Sequence, residues 1–142
     1  MFEITKNILV PKGLKEKFLT GEAGAWVVFE GIVRNHNEGK TVTSLEYESY
    51  EDLAKNEADK ILMEAHQKFP IDKIFCFHRT GKLKVGETSL WVGVSSAHRK
   101  EAFEACQYII DQIKARLPIW KKEYYENGDS GWINCTSCSH QH

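Results

Sequence analysis

Apolar and polar residues along the chain follow two rhythms, and the switches between them divide it into elements. Residues 25–33, "AWVVFEGIV", are mostly β-branched or aromatic, and residues 41–50, "TVTSLEYESY", set Leu45, Tyr47 and Ser49 against Glu46 and Glu48, so both stretches predict strands. The polar link "RNHNEGK", with Asn37 and Gly39, predicts that these two strands form a β-hairpin around an exposed loop. Over 51–69 the period lengthens: Leu53, Ala54, Ala58, Ile61, Leu62 and Ala65 recur at helical spacing on one face, and Pro70 ends the run. "KIFCFHR" and "SLWVGVSS" predict a second antiparallel pair, separated by the turn-rich "TGKLKVGET" with a short extra strand around Leu83. A second helix follows, with Ser95 and Ser96 as candidate caps and Ala102, Phe103, Cys106, Ile109, Ile110, Ile113 and Leu117 as its apolar face. It stops at Pro118, because the residue before a proline is pushed out of helical geometry. "IWKKEYY" then reads as a strand, Asn127-Gly128 as a turn and "WIN" as a short return strand. The resulting order, ββαββαββ, is that of an α+β protein with antiparallel pairing.

A chain of 142 residues that is 42% hydrophobic and 27% charged is expected to pack around one core. The expected division is a single domain over 1–133 and a flexible Cys/His tail over 134–142. The net charge of -1 lacks the basic excess that a sequence-independent grip on nucleic acid requires, so any anion site must be local. No stretch approaches the ~20 apolar residues of a membrane span and the opening lacks a cleavable leader pattern, which makes a cytoplasmic location the default expectation. Of the four cysteines, Cys76 falls in a strand-like run and Cys106 in a helix-like one, where each reads as a small buried hydrophobe.

Three polar clusters fall at element ends, where scaffolds display functional groups. They are Arg34 with His36, His98 with Arg99, and Lys114 with Lys121 and Lys122. A single cation at such a place is ordinarily solvated, and one in a last helical turn also has a dipole reason worth ~0.3–1 kcal/mol. "SSAHR" carries more: hydroxyls, a histidine, an arginine and the unpaired N–H groups of a helix start form either a plain cap or an anion site. If Lys114 and Lys121 converge, two charges ~4 Å apart repel by about 1 kcal/mol in water and about 4 kcal/mol at an effective dielectric of 20. Only a partly desolvated site therefore brings a lysine toward neutrality and lets it act as a base.

Cys135 and Cys138, with His140 and His142, offer a weak metal-binding possibility in the tail, although four ligands within eight terminal residues are a poor match to a structural site. Two rival functions follow from such features. Aromatics interleaved with basic residues in "IWKKEYY" and "FCFHR" suggest a nucleic-acid module, which would need a steep salt dependence of binding. The tail suggests a metal-handling protein, which would lose its activity on deletion of 134–142.

The blocks "GAWVVFEGIVRNHNEGK", "LEYESYEDLA", "HRTGKLKVGE", "VGVSSAHRKEAFEACQYIIDQIKARLPIWKKE" and "GDSGW" resemble, in order and spacing, the large-subunit family of molybdopterin synthase, the MoaE family, over about residues 24–132. Residues 1–23 and the tail lie outside the likeness. The resemblance implies an α/β hammerhead-type fold with an additional β subdomain, a homodimer of large subunits, and a small ubiquitin-like sulfur-carrier subunit docked at each end of a heterotetramer. It also implies a sulfurtransferase that moves sulfur from that subunit's C-terminal thiocarboxylate to cyclic pyranopterin monophosphate, forming the dithiolene of molybdopterin without a cofactor. By the same resemblance Lys114 and Lys121 are catalytic, Arg34, His98 and Arg99 bind the anionic substrate, and Ile32, Val33, Lys122 and Glu123 line the site. His98 and Arg99 are expected to reach it from the partner protomer.

Overall fold

The computed structural model describes residues 1–7 and 13–136. Its elements are β1 (Phe2–Thr5), α1 (Leu14–Phe18), β2 (Ala25–Ile32), β3 (His36–Asn37), β4 (Lys40–Ser49), α2 (Glu51–Lys68), β5 (Ile71–Arg79), β6 (Gly81–Lys84), β7 (Thr88–Ser96), α3 (Arg99–Arg116), β8 (Ile119–Tyr125), β9 (Gly128–Asp129) and β10 (Ile133–Asn134). The ββαββαββ skeleton is present, with β1, α1 and several very short strands added to it.

The strands form two sheets. One has the order β1-β5-β7-β2, and α2 and α3 pack on it through Ile61, Ala65, Ala105, Ile109 and Ile113 against Ile74, Cys76, Val92 and Val94. The other has the order β10-β8-β4-β3, with β6 against β4 and β9 against β8, around a small core of Val33, Val42, Leu45 and Leu83. Pairing is antiparallel except for β1, which runs parallel to β5.

The expected hairpin of β2 with β4 does not form. β2 pairs with β7, Val28 facing Gly93, while β4 pairs with β8 in the second sheet. The chain changes sheets at Val33, whose N–H donates to the Glu87 carbonyl and whose carbonyl accepts from Gly86. The hairpin that does form joins β3 to β4 through Glu38 and Gly39, both at positive φ, the two-residue turn that suits the twist of paired strands.

Both long helices are where the periodicity puts them, but two of their expected core residues are not inside. Leu53 and Phe103 are each more than 60% exposed, because each lies about 100° round the helix from the neighbouring buried alanine, Ala54 or Ala102. Ser95 and Ser96 are also not caps: both are buried in β7. The Ser95 hydroxyl accepts from the Lys73 N–H, and the N-cap of α3 is His98, without a side-chain cap bond. Cys76 and Cys106 are buried as expected, and burial pushes the Cys106 thiol up to about 11, far from reactivity.

Candidate functional site

The two sheets and the C-terminal end of α3 do not close completely where they meet, leaving a cavity of about 120 Å³. Its walls come from segments far apart in sequence. The end of β2, the sheet-changing link and the start of β3 bring Ile32, Val33, Arg34 and His36, the last turn of α3 brings Lys114, β8 brings Lys121 and Glu123, and β5 brings His78.

Strand periodicity explains which part of "IWKKE" enters. Side chains of β8 alternate, so Ile119, Lys121 and Glu123 turn inward and are buried, whereas Trp120 and Lys122 turn the other way. Lys122 therefore does not line the cavity; its ammonium lies 3.9 Å from the Asp129 carboxylate and over the rings of Tyr124 and Trp132. A buried lysine needs a partner, and the Lys121 ammonium has Glu123 at 3.4 Å. Glu123 is held in turn by the Asn37 side-chain amide, which donates at 3.0 and 3.1 Å, and by the Tyr125 hydroxyl at 3.0 Å. This network fixes the depth at which Lys121 sits.

Lys114 is half-buried. Its pKa is lowered, first by loss of water and then by the charge of Lys121, with a lesser push from Arg34, while Cys135 and Asp111 pull the other way. The partial desolvation that brings a lysine toward neutrality is thus present at Lys114.

His98 and Arg99 are at the other end of α3, both exposed. Fifteen residues separate Arg99 from Lys114, roughly 22 Å along the helix axis, so neither side chain reaches the cavity of its own chain.

His78 also walls the cavity, and no motif of the sequence gives it a role. It ends an apolar run, Ile74 to Phe77, and it shares the helix-facing side of β5 with Ile74 and Cys76; a histidine replacing an aliphatic at that place was the available signal. Its ring meets Tyr47 edge-on at 5.2 Å. Burial, and after it the charge of Lys114, lowers its pKa to about 4 against the Arg79 carbonyl, which pulls the other way. Arg79 beside it is buried and ion-paired to Glu87 at 3.2 Å, so "FCFHR" is not a free basic surface for nucleic acid.

Cys135 also lines the cavity, brought there by β10, in which Ile133 pairs with Lys121 and Asn134 with Trp120. Cys138, His140 and His142 lie outside the described residues. Among the described residues no cluster of histidine, cysteine and carboxylate side chains of metal-binding size occurs, and no helix is long and apolar enough to cross a membrane.

The family described as MoaE protein matches residues 4–116. A molybdopterin synthase catalytic subunit of Thermoplasma volcanium is 45% identical over 92% of this chain and 95% of its own length. That of Bos taurus is 50% identical over 81% of this chain, which spans only 61% of the bovine protein. Among solved structures, the molybdopterin synthase of Staphylococcus aureus superposes with a TM-score of 0.87 at 36% identity, covering 94% of this chain and 96% of that one. A complex of subunits 1 and 2 of the molybdopterin-converting factor of Helicobacter pylori gives 0.75 at 26% identity, covering 90% of this chain and 87% of that one.

Proposed function

Since the chain belongs to the MoaE protein family and its activity is that of a molybdopterin synthase catalytic subunit, a sulfurtransferase of molybdenum cofactor biosynthesis, we propose that the cavity beside Lys114 and Lys121 is where sulfur changes hands. The sulfur donor is the C-terminal thiocarboxylate of a small ubiquitin-like subunit, and the acceptor is cyclic pyranopterin monophosphate. One observation carries this reading: Arg34, Lys114 and Lys121, from three separate elements, border one small, largely apolar cavity. Gathering cations there costs repulsion, which arriving anions offset.

The cavity's size favours one reactant over the other. About 120 Å³ is well below the ~300 Å³ at which pockets begin to enclose a drug-sized molecule, so the cavity suits a narrow peptide end rather than a fused-ring phosphate. The tail enters with its thiocarboxylate toward Lys121 and its chain steadied by Arg34, while the pterin stays at the mouth. There its phosphate is held by His98 and Arg99 of a second copy. The working unit is then a homodimer of this chain with a small subunit at each end, acting in the cytoplasm. Lys114, the lysine biased toward neutrality, moves protons as sulfur adds to the pterin.

Mixing the protein with a thiocarboxylated small subunit and cyclic pyranopterin monophosphate yields dithiolene product if this is right. Lys114→Ala lowers single-turnover yield at least ~100-fold, the size of a lost proton-transfer group, while the complex still assembles on a sizing column. Unchanged yield refutes the role of Lys114.

A further inference from the structure

The sulfur-transfer reading leaves a chemical gap. Once the thiocarboxylate sulfur has bonded to the pterin, the small subunit is held by a thioester, and releasing it consumes water. The oxygen of water bonds to the acyl carbon, the carbon–sulfur bond breaks, and the electron pair leaves with sulfur. One proton must be taken from the water and one delivered to the departing thiolate. Lys114 serves the sulfur-addition step, and Arg34 and Lys121 are cationic donors. The oxygens of Glu123 are occupied by Asn37, Tyr125 and Lys121.

His78 has the missing property. Nδ1 lies 2.8 Å from the Arg79 carbonyl, and a carbonyl can only accept, so the ring proton is on Nδ1. The lone pair is therefore on Nε2, to which no hydrogen bond is made among the described residues, in a ring that forms part of the cavity wall. We propose that His78 Nε2 is the base that takes the proton from the water cleaving the thioester and returns it to the sulfur left on the pterin. This rests on the sulfur-transfer reading and adds a residue to it.

A ring kept neutral by burial and by the nearby Lys114 ammonium is a reluctant base before substrate enters, and the substrate changes that. The titratable groups that share the cavity wall with it are Tyr47 from β4, whose ring meets it edge-on, Lys114 from α3, Lys121 and Glu123 from β8, Arg34 and His36 from the segment after β2, and Cys135 after β10. An anionic tail entering among them opposes the cations and favours the imidazolium, so the base gains strength once the tail is bound. The Nδ1–H bond to Arg79 holds the tautomer throughout, as a buried acceptor does for a catalytic histidine elsewhere.

The two roles of the ring can be separated by substitution. His78→Asn keeps a donor toward the Arg79 carbonyl and removes Nε2. His78→Gln carries an acceptor oxygen that cannot cycle a proton. In single-turnover reactions with the thiocarboxylated small subunit and cyclic pyranopterin monophosphate, mass spectrometry follows both loss of thiocarboxylate and the covalent adduct of small subunit with pterin. In His78→Asn the adduct is expected to accumulate and decay roughly 100-fold more slowly than in wild type, with sulfur addition within threefold. His78→Gln gives the same result and replaces the first variant if that one does not fold. Adduct decay at the wild-type rate, or addition and decay slowed equally, overturns the proposal. Wild-type protein that consumes no thiocarboxylate would instead sink the sulfur-transfer reading itself, a result distinguishable from an active wild type with an unaffected variant.

Discussion

Lys114 is pulled toward neutrality chiefly because the cavity excludes water, and next because Lys121 shares that cavity. Removing Lys121 relieves only the second influence. In Lys121→Gln the Lys114 pKa is expected to rise yet stay below that of an exposed lysine, which NMR of the ε-methylene carbon reads directly; an unmoved value would mean the two ammonium groups do not sense each other. Acid stability tests two other residues. Arg116 donates to both oxygens of Glu64 at 2.8 and 2.9 Å, and the Tyr108 hydroxyl donates at 2.9 Å, which holds the Glu64 carboxyl down at about 2. His78 is held down at about 4 by burial. Each folded value lies below the ordinary one, so each group adds stability that is whole at neutral pH. That of His78 is lost as pH falls from about 6.5 toward 4, and that of Glu64 as pH falls from about 4.5 toward 2. Urea unfolding at stepped pH should show two successive losses, of which Glu64→Gln removes only the lower. The Glu64 cluster is open to solvent, so added salt should shrink that lower loss.

Strand β7 ties the site to the fold: it pairs with β2 on one side and β5 on the other, and its start, at Ser89 and Leu90, is cavity wall. Its middle depends on Gly93. A Cβ there would come within 2.7 Å of the Trp91 ring and 2.8 Å of the Trp26 ring. Gly93→Ala is expected to cost ~1–3 kcal/mol through overpacking, measured by chemical unfolding. An unchanged midpoint would show that the tryptophans move aside. Elements of this kind were legible in the chain because local period sets them: α2, α3 and the strand runs follow from spacing alone. Pairing was not, because alternation says which face of "AWVVFEGIV" is apolar but not whether β4 or β7 lies beside it. The same limit hid the difference between Lys121 and Lys122, whose facing is decided only by which side of β8 meets α3. Cys135 belongs here too. It reads as tail chemistry until the short pairing of β10 with β8 carries it to the cavity.

At the scale of the whole molecule, the governing fact is that α3 has candidate site residues at both ends, with roughly 22 Å between Arg99 and Lys114. The sequence places all of them within one block, and nearness in sequence conceals that a rigid helix holds them apart. If both ends work in the same reaction, two copies must share it, each cavity taking its lysines from one chain and its phosphate ligands from the other. Such sharing has a countable consequence. Lys114→Ala and Arg99→Ala are each inactive alone, but in a mixed dimer one cavity carries both lesions and the other carries neither. Random pairing of equal amounts makes half the dimers mixed, with one intact cavity of two, so the mixture should regain about a quarter of wild-type activity. Dithiolene yield after the two variants are unfolded and refolded together measures it. A mixture as inactive as its components would show that His98 and Arg99 serve something other than the cavity of a second copy.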